Sequence, residues 1–278
     1  MNNNLQQLLS EGFHFKKRFG QNFIFDTNLL GAICEDAGIM ANDRIVEVGA
    51  GAGTLTAELA KRAKRVISFE IDITLKQHLD KLAVEHSNID FVYCDVLKIN
   101  LGDYLVAADA LGRHPFKVVA NLPYYITTPV MFHFLAHPNL TSITVMVQKE
   151  VAERFIAKPN TPEYGAVTAQ LRVYGTPKIT RIVGRKNFNP PPNVDSAIVR
   201  LDINKIDGVK DYQHLQKLIA ASFNMRRKTL VNNLMQGFNL PRQNVEKILT
   251  SLGYDLSIRG ETLSIDDFVK LSNALFTF

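Results

Sequence analysis

Between residues 44 and 149, short apolar runs alternate with amphipathic stretches. The apolar runs have the length of buried strands, and the stretches between them repeat apolar residues with the spacing of a helix. Strands that alternate with helices form βαβ units with parallel strands. The pattern therefore predicts an open, doubly wound parallel sheet. The predicted elements are strands Arg44–Gly49, Arg65–Glu70, Ile89–Asp95, Lys117–Asn121 and Ile143–Gln148, with helices Thr54–Lys64 and Asp72–Glu85.

After Lys149 the pattern changes. A helix over Lys149–Ala157 precedes two predicted strands, Ala166–Tyr174 and Ser196–Ile203, that would complete the sheet as an antiparallel edge. Residues 205–210 read as a linker. Beyond them every apolar pattern is helical. We therefore predict an α/β domain over residues 1–206 and a small all-helical domain over residues 207–278. The helices predicted for the second domain are Tyr212–Phe223, Arg226–Met235, Arg242–Leu252 and Ile265–Leu275.

The composition is that of an ordinary globular protein, with 46% hydrophobic residues among 278. No apolar run approaches the ~18 residues that a membrane span needs, and the polar first ten residues do not resemble a signal peptide. The two cysteines, Cys34 and Cys94, form no CxxC pair, which argues against a disulfide framework or a structural zinc site. We expect a cytoplasmic monomer without membrane contact and without a bound metal.

The net charge of +5 is modest, but its distribution is informative. Basic residues cluster within residues 14–18, 172–186 and 226–228, and none of these segments contains an acid. A solvated face explains any one such cluster. The three together favour a polyanionic partner such as a nucleic acid.

The first predicted strand runs into a glycine turn, and the next two end in acids. Gly49 and Gly51 let the backbone lie close to a ligand, although the dinucleotide fingerprint would place Gly or Ala where Thr54 stands. Glu70 can accept both ribose hydroxyls, and Asp95 can accept a hydrogen bond from an adenine amine. The set predicts an adenosine-type ligand. The spacing alone does not separate NAD from S-adenosylmethionine.

The fourth predicted strand ends in Asn121-Leu122-Pro123-Tyr124. The lone pair of an adenine amine is delocalised into the ring, so acceptors for its two N–H bonds are needed to turn that pair toward an electrophile. The Asn121 side-chain oxygen and the Leu122 carbonyl can be these acceptors, with Pro123 stiffening the turn. Tyr124 offers an aromatic face to a base that has left its helix. The tetrapeptide predicts transfer to a planar amine, without a metal or a covalent nucleophile.

Several separate motifs make the chain resemble the ribosomal RNA adenine N6,N6-dimethyltransferases, the bacterial small-subunit (16S) dimethyladenosine transferase family. The resemblance covers nearly the whole chain. Two positions depart from the usual family residues: Ile24 replaces leucine and Ala50 replaces proline. The matching segments are Gly20–Ile24, Glu47–Gly53, Asn121–Ile126 and Phe188–Ser196.

The resemblance implies a Rossmann-like S-adenosylmethionine-dependent methyltransferase sheet followed by a helical RNA-binding domain. It implies that Phe188 lies against the target adenine, opposite Tyr124. It also implies that the carboxyl-terminal helices hold RNA, and our hypothesis is that Arg226, Arg227 and Lys228 contact phosphates. The residues implied to contact the cofactor are Asn22, Ile24, Gly49, Gly51, Glu70, Asp95 and Asn121.

The substrate implied by the family is a pair of adjacent adenines in a hairpin near the 3′ end of small-subunit ribosomal RNA, presented on free RNA or on an immature small subunit. A large-subunit enzyme of the macrolide-resistance type is the nearest alternative. A DNA adenine methyltransferase would need a duplex-reading domain that the sequence does not show. An assembly factor whose methylation is secondary, or a dehydrogenase that binds NAD through the glycine turn, also remains open.

Overall fold

The apolar runs of residues 44–148 form the central strands of a seven-stranded sheet. The computed structural model describes residues 3–10, 22–102 and 114–276. Contacts group residues 1–152 and 178–203 into one unit, and residues 153–177 and 204–278 into another. The observed groups differ from the sequence-based division in one respect: residues 153–177 group with the carboxyl-terminal helices.

In the first unit the strand order is β4-β3-β2-β5-β6-β9-β7. The first five strands in that order are parallel, and β9 pairs antiparallel with both β6 and β7. A separate two-stranded sheet pairs β1 with β8, placing Ile24 opposite Phe188. The strands are β1 (Phe23–Ile24), β2 (Arg44–Val48), β3 (Arg65–Glu70), β4 (Ile89–Tyr93), β5 (Phe116–Asn121), β6 (Leu140–Gln148), β7 (Lys178–Val183), β8 (Phe188–Asn189) and β9 (Ser196–Asp202).

Helices α3, α4 and α5 of this unit connect parallel strands. Leu30, Leu59 and Ile198 belong to one buried cluster that joins helices to the sheet. A smaller cluster contains Leu8 and Phe23. The helices, besides short 3-10 turns, are α1 (Asn3–Ser10), α2 (Thr27–Asp36), α3 (Thr54–Ala60), α4 (Lys76–Glu85), α5 (Thr127–Leu135) and α6 (Lys149–Ile156), the last of which passes into the second unit.

The second unit is helical throughout its described residues. Its core contains Tyr164, Leu218, Leu234, Leu249 and Phe268, all buried. Ser264 caps the last helix by accepting the Asp267 N–H. The helices are α7 (Ala166–Arg172), α8 (Tyr212–Ser222), α9 (Leu230–Phe238), α10 (Arg242–Ser251) and α11 (Ile265–Leu275).

Most predicted elements are present, but two predictions were wrong and one strand was missed. The predicted strand Ala166–Tyr174 is helix α7, because Ala169 and Val173, four residues apart, both pack into the helical core. The edge strand β7 was not predicted, because its side chains are mostly exposed and its sequence lacks an apolar alternation. The predicted helix Arg226–Met235 begins only at Leu230.

The helix predicted over Thr54–Lys64 ends at Ala60. Glu58 and Arg62 form an ion pair. Six of the seven residues of this helix are buried. In the described part of the chain, no helix is long and apolar enough to cross a membrane.

Candidate active site at the carboxyl edge of the sheet

One cleft brings together the sequence motifs that lie at the ends of parallel strands. Five parts of the chain line it: residues 22–24, residues 47–52 with 54–55, residues 69–71, residues 94–97 and residues 121–126. Strands β2, β3, β4 and β5 each contribute a segment from their carboxyl ends or from the residues just beyond them. This edge is where open α/β sheets bind ligands.

The glycine turn after β2 is backed closely by other parts of the unit. Gly51 has φ +57°, and a Cβ there would lie 2.9 Å from Cε1 of Phe23. Gly53 has φ +70°, and a Cβ there would lie 2.6 Å from Cδ2 of Leu82. Only glycine adopts these angles without strain while leaving room for those side chains. The turn is therefore packed closely against Phe23 and Leu82.

Glu70 ends β3 and is 5% exposed. Its Oε2 accepts the Gly51 N–H at 2.9 Å, and its Oε1 accepts the Asp72 N–H at 2.8 Å. Burial raises the pKa of this carboxyl above its ordinary value, while hydrogen bonds from the Asp72, Gly51 and Ile71 N–H groups oppose the rise. These bonds fix the carboxylate at the cleft wall. A carboxylate oxygen can accept more than one hydrogen bond, so Glu70 can still accept from a ligand.

Asp95 lies two residues beyond β4, as the cap of a short 3-10 helix. Its Oδ1 accepts the Leu97 N–H at 3.1 Å, and its Oδ2 lies 3.6 Å from Nζ of Lys98. The side chain is 29% exposed. The backbone bond holds the carboxylate at the cleft while leaving it open to a ligand.

Asn121, the last residue of β5, has a fixed side chain. Its Nδ2 donates to the backbone oxygen of Asn22 at 2.9 Å. Because the amide nitrogen is engaged in this way, the opposite atom, Oδ1, is left as an acceptor. Leu122 and Pro123 follow, and a turn closes when the Ile126 N–H donates to the Pro123 oxygen at 3.1 Å.

Tyr124 is half-buried in this turn, and its hydroxyl lies 2.9 Å from Oγ of Ser196. Burial raises the pKa of the Tyr124 phenol, and the bond to Ser196 opposes that rise. Ser196 is the first residue of β9 and the last residue of the Phe188–Ser196 segment. The hydrogen bond therefore joins the Asn121–Tyr124 segment to the Phe188–Ser196 segment.

Comparisons with known proteins agree with this geometry. The family model described as ribosomal RNA adenine dimethylase matches residues 12–276. The chain belongs to this family. It is 44% identical over 270 residues to a ribosomal RNA small subunit methyltransferase A of Bacillus mycoides, covering 95% of this chain and 92% of that protein. Counterparts of the same name from Bacillus cereus are 43% identical over the same shares.

Two solved structures of similar shape carry related names. A dimethyladenosine transferase from Plasmodium falciparum superposes with a TM-score of 0.73 at 26% identity, over 90% of this chain and 95% of that one. The 23S rRNA methyltransferase ErmE superposes with a TM-score of 0.68 at 26% identity, over 92% and 100%. The family fold, a Rossmann-like methyltransferase sheet with a helical carboxyl-terminal part, is the fold observed in this chain.

The structure separates one predicted residue from the rest of the family site. Asn22, Ile24, Gly49, Gly51, Glu70, Asp95 and the Asn121–Tyr124 segment all line the cleft. Phe188 does not line it: the side chain is 2% exposed and packs in the same core cluster as Ile24. A stacking role for Phe188 stays a prediction that requires its ring to leave this core.

The cleft also contains a buried acid, Glu47, that was not predicted as a site residue. Glu47 is 1% exposed, and its Oε2 accepts the hydroxyls of Thr56 and Ser68, both at 2.6 Å. Burial raises the pKa of this carboxyl to about 7, against the two hydroxyl bonds. A signal was present in the sequence: an acid two residues before Gly49, inside an otherwise apolar strand, is rarely buried without a role.

The predicted phosphate contacts lie in the second unit, in a turn ahead of α9. The buried Asn233 braces this turn, since it accepts the Met225 N–H and donates to the oxygens of Ser222 and Met225. Arg226 is engaged within its own unit: it donates to the Pro162 oxygen at 2.8 Å and lies 3.5 Å from Oε2 of Glu261.

The next two residues differ from Arg226. Arg227 and Lys228 are exposed, and no side-chain hydrogen bond or ion pair to any described residue engages them. Two of the three predicted cations are therefore available to an external anion, and the third also serves a structural contact.

Proposed function

We propose that this protein transfers methyl groups from S-adenosylmethionine to the N6 amines of two adjacent adenines in a hairpin near the 3′ end of small-subunit ribosomal RNA, giving N6,N6-dimethyladenosine. The observation that carries the proposal is the fixed side chain of Asn121, in the same cleft as Glu70 and Asp95. The names of the 43–44% identical relatives support the choice of the small subunit.

The cleft residues suit the cofactor. Glu70 can accept from ribose hydroxyls, and Asp95 can accept from an adenine amine. Gly49 and Gly51 line the cleft at positive φ, a backbone conformation that glycine adopts without strain. We assign cofactor contacts to these four residues together with Asn22, Ile24 and Asn121. S-adenosylmethionine, when bound, supplies an electrophilic methyl group on a sulfonium.

The protein's own task is to present the amine. Asn121 Oδ1 and the Leu122 carbonyl accept hydrogen bonds from the two N–H groups of the target amine. These bonds turn the nitrogen lone pair toward the methyl group. Pro123 and the hydrogen bond from Ile126 hold this turn rigid, so little ordering remains to be done when the base arrives. Holding two reacting groups in line can supply ~7–11 kcal/mol of a barrier.

Tyr124 supports the target base by stacking. The hydrogen bond to Ser196 holds the phenol and so limits the rotamers of the ring. Base–aromatic stacking contributes about 1–3 kcal/mol per base. Phe188 would cover the opposite face of the adenine only after its ring turns out of the core, so we assign that movement to RNA binding.

We assign RNA binding to the helical part of the chain, with residues 207–278 as its core and Arg226, Arg227 and Lys228 as phosphate contacts. Arg227 and Lys228 carry most of this role, because Arg226 is already paired with Glu261. The substrate is the immature small subunit. The protein acts as a monomer in the cytoplasm, where ribosomes are assembled. Phosphate contacts of this kind position the RNA without reading its sequence.

The decisive experiment incubates the purified protein with labelled S-adenosylmethionine and small subunits that lack the modification. Mapping should place the label on N6 of two adjacent adenines near the 3′ end. Large subunits, naked ribosomal RNA and duplex DNA serve as parallel substrates. Label found mainly on large-subunit RNA would replace the proposal with the macrolide-resistance type of activity, and label on none of the substrates would refute methyl transfer.

Substitution at Asn121 separates the enzyme from an assembly factor. The Asn121→Ala variant should abolish labelling. If the variant also fails to restore ribosome assembly in a deletion strain, methylation is the function. If complementation is complete without methylation, the catalytic role is secondary.

A further inference from the structure

The turn that carries Tyr124 presents a second tyrosine, and the two are held differently. Tyr124 is half-buried and hydrogen-bonded to Ser196. Tyr125, the next residue, is 62% exposed, yet it also lines the cleft. No hydrogen bond, ion pair or ring contact with any other residue that the structure describes engages the Tyr125 side chain.

Packing within the protein does not account for Tyr125. This residue is 62% exposed, in contrast to the cleft-lining residues Leu122 and Ile24, which are 2% and 1% exposed. Single exposed rings are common on protein surfaces, but this ring lines the cleft, where a flat aromatic face can stack on a base. The backbone beneath it is nevertheless ordered, because the Ile126 N–H bonds to the Pro123 oxygen at 3.1 Å and α5 begins at Thr127.

We propose that Tyr125 forms a second nucleobase subsite, which receives the base next to the target adenine by stacking. This inference rests on the proposed function, since two adjacent adenines must be modified in turn. When one of them lies in the cleft over Tyr124, the chain of the RNA brings the other to the rim. Adjacent bases pulled out of a helix lose their mutual stacking. An aromatic ring at the rim can stack on whichever of the two adenines lies outside the cleft.

The position of Tyr125 suits that task better than a hydrogen-bonding residue would. Stacking tolerates either an unmodified or a dimethylated adenine as the neighbour, because both keep a flat aromatic face. A hydrogen-bond donor or acceptor directed at N6 would exclude either the unmodified or the dimethylated adenine. An unanchored ring therefore serves the first and the second adenine alike.

The test is a cycle that varies the protein and the RNA together. The protein is wild type, Tyr125→Ala or Tyr125→Phe. The substrates are unmodified small subunits with both adenines, or with one or the other replaced by uridine. KM and kcat are measured for transfer to each remaining adenine, with Met40→Ala, at an exposed residue outside the cleft lining, as the control.

We expect Tyr125→Ala to raise KM for the two-adenine subunit about tenfold, within the range for loss of one base–aromatic stack, with kcat falling less. In the wild type, a neighbouring uridine should raise KM severalfold. In Tyr125→Ala that difference between adenine and uridine neighbours should disappear, whereas Tyr125→Phe should retain it because the ring is kept.

Two results would overturn the subsite: an unchanged KM in Tyr125→Ala, or the same discrimination between adenine and uridine neighbours in Tyr125→Ala as in the wild type. Transfer by the wild type to the two-adenine subunit is read separately, because it tests the proposed function. If the wild type methylates that subunit and the cycle shows no coupling, only the subsite fails. Binding of S-adenosylmethionine alone, measured by calorimetry, verifies that each variant is folded.

Discussion

The side chain of Asn121 donates to the backbone oxygen of Asn22 at 2.9 Å, across 99 positions of sequence. One motif near the amino terminus thereby orients the amide of another motif at the end of β5. The contact explains why a segment ahead of the sheet belongs to the site: it fixes which atom of Asn121 is free to accept from a substrate.

This relationship makes Asn121→Asp an informative substitution. Aspartate keeps an acceptor but loses the donor, and it places a carboxylate oxygen against the Asn22 carbonyl. We expect kcat to fall about 100-fold or more, similar to Asn121→Ala, since small displacements of a positioning group have costs of that size. The measurement is single-turnover transfer at saturating cofactor. An Asn121→Asp enzyme with wild-type kcat would mean that the bond to Asn22 does not orient the site.

The bond between Tyr124 and Ser196 predicts matched effects at two positions. Tyr124→Phe and Ser196→Ala remove the same hydrogen bond and keep the Tyr124 ring. Each should cost about 1 kcal/mol of stability and raise KM for RNA a few-fold, because the ring becomes less restricted. The double variant should be no worse than either single one. Urea denaturation and steady-state kinetics measure both effects, and simple additivity in the double variant would contradict the coupling.

Glu47 predicts a particular dependence of stability on pH. Burial raises its pKa from 4.5 to about 7, so between these values the folded protein binds more protons than the unfolded chain. The free energy of unfolding therefore falls as pH rises from about 4.5 to 7, by at most about 3 kcal/mol from this group. Glu70, whose pKa is also raised, contributes with the same sign.

Glu47→Gln should flatten this dependence in part, because glutamine accepts the Thr56 and Ser68 hydroxyls without titrating. Urea denaturation at pH 5, 6, 7 and 8 compares the variant with the wild type, and Glu85→Gln, at an exposed carboxylate, is the control. Parallel curves for Glu47→Gln and wild type would show that Glu47 titrates normally.

Arg227 and Lys228 predict a change in the salt dependence of RNA binding. Replacing both by alanine should weaken binding and reduce the slope of log affinity against log salt by about 1.5–2, roughly one per lost phosphate contact. Stability should hardly change, because the part of the chain that the structure describes gives neither side chain a hydrogen bond or an ion pair.

Arg226→Ala is the matched comparison for that pair. It should lower stability, since Arg226 bonds to the Pro162 oxygen and pairs with Glu261. Its effect on the salt slope should be smaller than that of Arg227→Ala or Lys228→Ala. Equal slopes for all three single variants would argue that Arg226 leaves its internal contacts when RNA binds.

The central sheet could be predicted from the sequence because its strands are buried apolar runs of characteristic length, separated by amphipathic helices. Helix α7 could not, because Ala166–Arg172 contains a β-branched pair, Val167 and Thr168, and shows its helical spacing only against the core of the second unit. The turn at Arg226–Lys228 was likewise hidden, because helix-forming residues enter a turn that the buried Asn233 stabilises.

The sequence by itself determined the chemistry of the cleft: the residue types after four strands, the family, and the ligand class that those residues suit. These are local properties, since the end of a strand is set by its own residues. Only the tertiary structure decided which atoms are free. It shows Asn121 bonded to Asn22, Phe188 buried, Arg226 paired and Tyr125 exposed, because each depends on residues distant in sequence that folding alone brings into contact.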